Sequence, residues 1–94
     1  MPTRADTDEL KPWAILRFAR LRGAALANAD LRFAVLRYAL LDGADLKNAN
    51  LTGADFRGAS LRRADMTGAD LREADLRDAD LSEAALEGAK LTGA

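Results

Sequence analysis

Ninety-four residues, 49% apolar and 31% charged, make one small domain able to bury a single modest core. Fourteen Lys and Arg against fifteen Asp and Glu leave a net charge of −1, so no overall field draws the chain to nucleic acid or an anionic membrane. Cysteine and histidine are both absent, which excludes disulfides, thiolate or imidazole metal ligands, a cysteine nucleophile and a histidine base.

Residues 1–13 precede the regular part of the chain. Asp6 or Thr7 is placed to cap a helical turn through Asp8, Glu9 and Leu10, stopped before Pro12. This segment is expected to cover the first repeat units as a cap, with Leu10 and Trp13 as its apolar contacts. The first ten residues hold no apolar signal core, and no apolar run approaches the ~20 residues of a membrane span. The expected location is the cytoplasm, with no membrane partner.

From Leu16 to Leu91 every fifth residue is Leu, except Phe56 and Met66, over sixteen consecutive units. Two residues before each stands an Ala, from Ala14 to Ala89. Asp fills the slot between them in seven units, from Asp30 to Asp80, and all seven glycines fall two residues after the large apolar one. A five-residue step turns an α-helix by a net ~140°, which scatters the leucines. A straight strand points successive leucines to opposite faces. The chain must therefore bend once per unit, with Ala and Leu inside and the Asp slot outside: an all-β solenoid. The last two positions of each unit carry the corner. Glycine in the second of them suits a turn with positive φ. Where that slot holds Phe, Glu or Arg, right-handed αR-like angles are expected.

Residues 14–94 resemble the pentapeptide repeat family through its A(D/N)LXX signature, kept in register over the sixteen units. The resemblance implies a right-handed quadrilateral parallel β-helix with twenty residues per coil, hence about four coils here. Residues 1–13 would then be the N-terminal cap and 14–94 the β-helix.

Twenty residues per coil stack Arg17, Arg37, Arg57 and Arg77 into one column, readable as an anion-binding strip or as a solvated column neutralised by Asp55 and Asp75. Asp45 and Asp65 also stack, as do Asp55 and Asp75, and carboxylate pairs can bind Ca²⁺ or serve as acid and base. Asp in this slot belongs to the repeat itself, so a structural role is expected. Ser60 and Ser82 have no histidine partner for a triad. We therefore expect no enzyme, no cofactor, no metal and no small-molecule substrate.

Outward and corner slots hold Ile15, Phe18, Phe33, Val35, Tyr38 and Leu40 near the N-terminal end, where later units place Gly, Ser, Asp or Glu. Such a patch marks an interface with a protein partner or a second copy, unless residues 1–13 fold back over it. The last coil, ending at Leu91-Thr92-Gly93-Ala94, is a second candidate for partner contact. Residues 1–40 carry a net +3 and residues 41–94 a net −4, which favours oriented association. The leading expectation is a non-enzymatic structural and protein-interaction module. The alternative, implied by the resemblance alone, is a DNA-mimicking member that binds DNA gyrase; that mode calls for a longer and more acidic rod.

Overall fold

Five-residue units with a coil on either side use their backbone amides in the same way. The central residue donates to a carbonyl of the following coil, as Leu16 N–H does to the Val35 carbonyl at 2.7 Å. The second corner residue does likewise, Phe18 N–H to the Arg37 carbonyl at 3.0 Å. The residue before the centre donates backward, Val35 N–H to the Ala14 carbonyl at 2.8 Å. Alanine closes the corner, with Ala19 N–H on the Leu16 carbonyl at 3.1 Å. The structure, a computed structural model, describes residues 10–94, and the helical turn expected from Asp6 or Thr7 lies outside them except for Leu10.

Twelve parallel bridges tie the layers together, and each joins residues twenty apart, as in Ile15–Val35–Asp55–Asp75. Four five-residue sides therefore complete one circuit. Each side contributes a single bridging residue, so the ladders run through isolated bridges rather than extended strands. No helix occurs among the described residues.

This geometry aims every central residue at the axis. The core of the described chain consists of alanines and central-slot residues alone, with Leu31, Leu36, Leu41, Leu46, Leu51, Phe56, Leu61, Met66 and Leu71 all fully buried. No polar side chain is buried among the described residues. Leu10 packs against one end of the core; at the other, Leu76, Leu81 and Leu86 are half-buried and Leu91 is exposed.

The corners correct one expectation. All seventeen have positive φ in their second position, from 57° at Arg63 to 74° at Gly93, including Phe18, Phe33 and Glu73, for which αR-like angles were expected. The corner hydrogen bond spans three residues and the first corner position is not left-handed, as in a type II turn. The reason is global. Coils in twenty-residue register demand the same turn at every corner, and the stacked ladder imposes it on residues whose local preference is otherwise. The first described corner, Lys11-Pro12-Trp13, already follows the rule: Trp13 has φ 67° and donates to the Arg32 carbonyl at 2.9 Å.

Candidate interaction face

One side of the solenoid lies between two corner columns. The first column is Trp13, Phe33, Gly53, Glu73 and Gly93; the second is Phe18, Tyr38, Gly58 and Asp78. Between them the outward residues are Ile15, Val35, Asp55 and Asp75, then Arg17, Arg37, Arg57 and Arg77. In the first two layers the face is apolar apart from Arg17 and Arg37. Trp13 stacks on Phe33 with centroids 4.6 Å apart, and Phe18 on Tyr38 at 5.3 Å. The Phe33 ring then lies over Gly53 and the Tyr38 ring over Gly58, in the space a Cβ would occupy.

The rings are nonetheless open to solvent. Trp13 is 69% exposed, Ile15 66%, Phe18 56%, Tyr38 54% and Phe33 42%. Among the exposed large apolar residues of the described chain, only Leu91 lies elsewhere. Val35 is half-buried beside Ile15 on this face. Leu40 sits past the Tyr38 corner on the next side, bridged to Arg20 and Ser60, so it flanks the face rather than joining it. Trp13, read from sequence as an apolar contact of the N-terminal segment, heads the first aromatic column. Its spacing of twenty from Phe33 was the available signal, obscured because Lys11 holds the slot that Leu fills elsewhere.

Two observations mark the face as a departure from the repeat's own needs. The fifth amide of each unit, on the first corner residue, lies outside the inter-coil ladder. Where the outward slot holds Asp or Asn, its carboxylate or amide oxygen accepts that N–H: Arg57 N–H to Asp55 at 3.1 Å, Arg72 to Asp70 at 3.1 Å, Thr52 to Asn50 at 3.2 Å. This local capture is why the repeat favours Asp in that slot. Ile15 and Val35 cannot provide it. In addition, all four outward aromatics stand in left-handed corners, where bulky residues are unusual and cost about 1–2 kcal/mol each. Glycine avoids that penalty at seven other corners.

The lower half of the same face is a ladder of alternating charge. Arg37 Nε lies 2.6 Å from Asp55 Oδ2, Arg57 reaches Asp55 at 2.9 Å and Asp75 at 3.6 Å, and Arg77 reaches Asp75 at 2.7 Å. The arginine column is thus neutralised from Arg37 downward. On another side, Lys47 Nζ lies between Asp45 and Asp65 at 3.9 and 4.0 Å. Among the described residues no group of three potential metal ligands assembles.

These contacts hold carboxyls below their usual range. The Arg77 hydrogen bond lowers Asp75 against the opposing effect of burial, and the Arg72 hydrogen bond takes Asp70 from 3.8 to about 2. A depressed folded-state value stabilises the fold fully above the unfolded value near ~4, and that contribution disappears as pH falls toward the folded value. The melting temperature is therefore expected to hold down to pH ~4 and then fall toward pH ~2, with a shallower fall in Asp70→Asn. Calorimetric melts across that window check this; equal slopes in both proteins would contradict it.

A four-sided parallel solenoid closed every twenty residues, with Leu and Ala inside, defines a β-helical repeat protein. The chain matches the family "Pentapeptide repeats (8 copies)" over residues 14–53, 39–78 and 54–93, and it belongs to that family. Members of the family form right-handed quadrilateral β-helices and are generally non-enzymatic structural repeat proteins; no catalytic family is indicated. Among solved structures it is similar to a pentapeptide repeat protein of the Arabidopsis thaliana thylakoid lumen, at 44% identity and TM-score 0.74, covering 76% of this chain and 49% of that one. A pentapeptide repeat protein from the cyanobacterium Cyanothece 51142 is 39% identical with TM-score 0.56, over 85% of this chain and 58% of that one. The chain thus spans about half the length of these structures. The search of curated proteins gave no match. No helix of the described residues is long and apolar enough to cross a membrane.

Proposed function

We propose that this chain is a non-enzymatic structural and protein-interaction module that works through the apolar face of its first two layers. The reading includes a rod of four coils over residues 14–94 preceded by residues 1–13 as a cap segment, whose last three residues already form a repeat corner. The observation that carries it is the gathering of Trp13, Ile15, Phe18, Phe33 and Tyr38, exposed together on one side. A contiguous exposed apolar patch rarely persists without an interaction partner. Here it replaces an outward Asp that would capture an amide and corner glycines that would relieve strain. The acidic slots of the C-terminal half favour this reading over DNA mimicry. Asp70 and Asp75 are matched by Arg72 and Arg77, and Asp65 is shared with Lys47, so these three carboxylates are already neutralised within the chain.

Phe18→Asp combined with Tyr38→Asp tests the reading. Neither residue contributes to the core, so stability is expected to fall by only about 1 kcal/mol while association through this face is lost. Thermal melts and binding measured on the same samples decide it. Unchanged association in a folded double variant would refute the assignment.

A further inference from the structure

Across the face the outward residues run in a fixed order: first corner column, the Ile15-Val35-Asp55-Asp75 column, the arginine column, second corner column. From this order we infer that the occupant of the face is a second copy of the chain, lying side by side with its axis parallel, about a two-fold that runs along the face between the Asp55 and Arg57 columns. The inference rests on the interaction reading above and names its partner.

Such a two-fold keeps every layer at its own height and reverses the order across the face. Trp13 of one copy then meets Phe18 of the other, and Phe33 meets Tyr38. Ile15 and Val35 lie against the aliphatic stems of Arg17 and Arg37. In the third layer the Phe33 and Tyr38 rings overlie Gly53 and Gly58, and Asp55 meets Arg57. In the fourth, Asp75 meets Arg77. Apolar layers thus bury apolar layers, and each carboxylate of the ladder acquires a guanidinium from the opposite copy, so the face is self-complementary as an isologous contact requires. The like-charged pair Glu73 and Asp78 falls at the exposed outer corners of the fourth layer, where solvent screens it. The antiparallel arrangement fails this test. It preserves the order across the face and reverses the layers, setting Arg37 on Arg57, Arg17 on Arg77, and the aromatics Trp13 and Phe18 on Glu73 and Asp78.

The area is also sufficient. Large side chains bury ~150–250 Å² each, so at their observed exposures the five apolar residues supply on the order of 600 Å² per copy. Val35, the arginine stems and the two charged layers raise this toward the ~800 Å² per partner typical of a specific interface.

The absence of cysteine makes the geometry directly testable. Sedimentation equilibrium of the wild type is expected to give the mass of two copies at micromolar concentration. Asp75→Arg, which sets guanidinium against guanidinium, is expected to weaken the dimer about tenfold or more, and adding Arg77→Asp to restore it. Phe33→Cys mixed with Tyr38→Cys should form the mixed disulfide faster than either variant links to itself, a readout independent of any charge-swap effect on folding. A wild type that stays monomeric, or cysteines that link only like to like, would overturn the second-copy assignment. The two claims fail separately. A monomer that loses a different protein on Phe18→Asp with Tyr38→Asp sinks the dimer and leaves the face as an interaction surface. A dimer that persists in that double variant sinks both.

Discussion

Leu51→Asp is expected to leave no folded protein at room temperature. Leu51 is fully buried, two layers from either end of the described core, in the inward column that also holds Leu31 and Leu71. No polar side chain is buried among the described residues, so nothing there can receive a carboxylate. Losing the leucine removes about 2–5 kcal/mol through transfer and cavity effects. An unpaired buried charge adds several more, unless the coil opens to let it out. Together these reach the ~5–15 kcal/mol that a domain has in total. Opening would also sever the ladder amides of Leu51 and Gly53, bonded to Asp70 at 2.7 Å and Arg72 at 2.9 Å. Thermal melts of the variant should show no cooperative transition. A transition within a few degrees of wild type would mean that Leu51 does not face the axis.

Gly53→Ala carries the second largest effect, and it links the corner to the aromatic face. A Cβ at position 53 would come within 2.4 Å of the Phe33 ring, whereas one at Gly23, with nearly the same φ, meets nothing within 4 Å. Gly23→Ala should therefore lose only the left-handed penalty, about 1–2 kcal/mol. Gly53→Ala must also push Phe33 off the Trp13 stack, worth about another 0.5–1.5 kcal/mol. Its expected loss is roughly 2–3 kcal/mol, on the order of a 10–20 °C fall in melting temperature for a domain of this size. Because the obstruction is a side chain, Phe33→Ala in the same background should return the loss to that of Gly23→Ala. Equal effects of the two glycine changes would mean that the ring does not rest on Gly53.

Much of this architecture is legible in sixteen in-register units, because no helix or straight strand can point every fifth residue inward. The number of sides and the hand were not in that periodicity; they came with the resemblance. The corner angles escaped local reading. Phe18 or Glu73 prefers a right-handed conformation in isolation, and only the stacking of coils imposes φ near +60°. The Asp slot was recognised as structural without its reason. That reason is an amide left over by the ladder, visible only once the ladder is drawn. On the face itself, Ile15, Phe18, Phe33, Val35 and Tyr38 stood out as apolar residues in polar slots. Leu40 carried the same signal, but lies round the corner from them.

On the interaction reading, this face becomes covered when the protein associates. Trp13 is the only tryptophan in the chain and heads the first aromatic column, 69% exposed, so its fluorescence reports on that face alone. Acrylamide quenching followed over rising protein concentration is the direct measurement. Quenching should be efficient in dilute solution and decline as the protein associates, and it should stay efficient at every concentration in Phe18→Asp with Tyr38→Asp. Association that leaves Trp13 as accessible as in dilute solution would contradict the account.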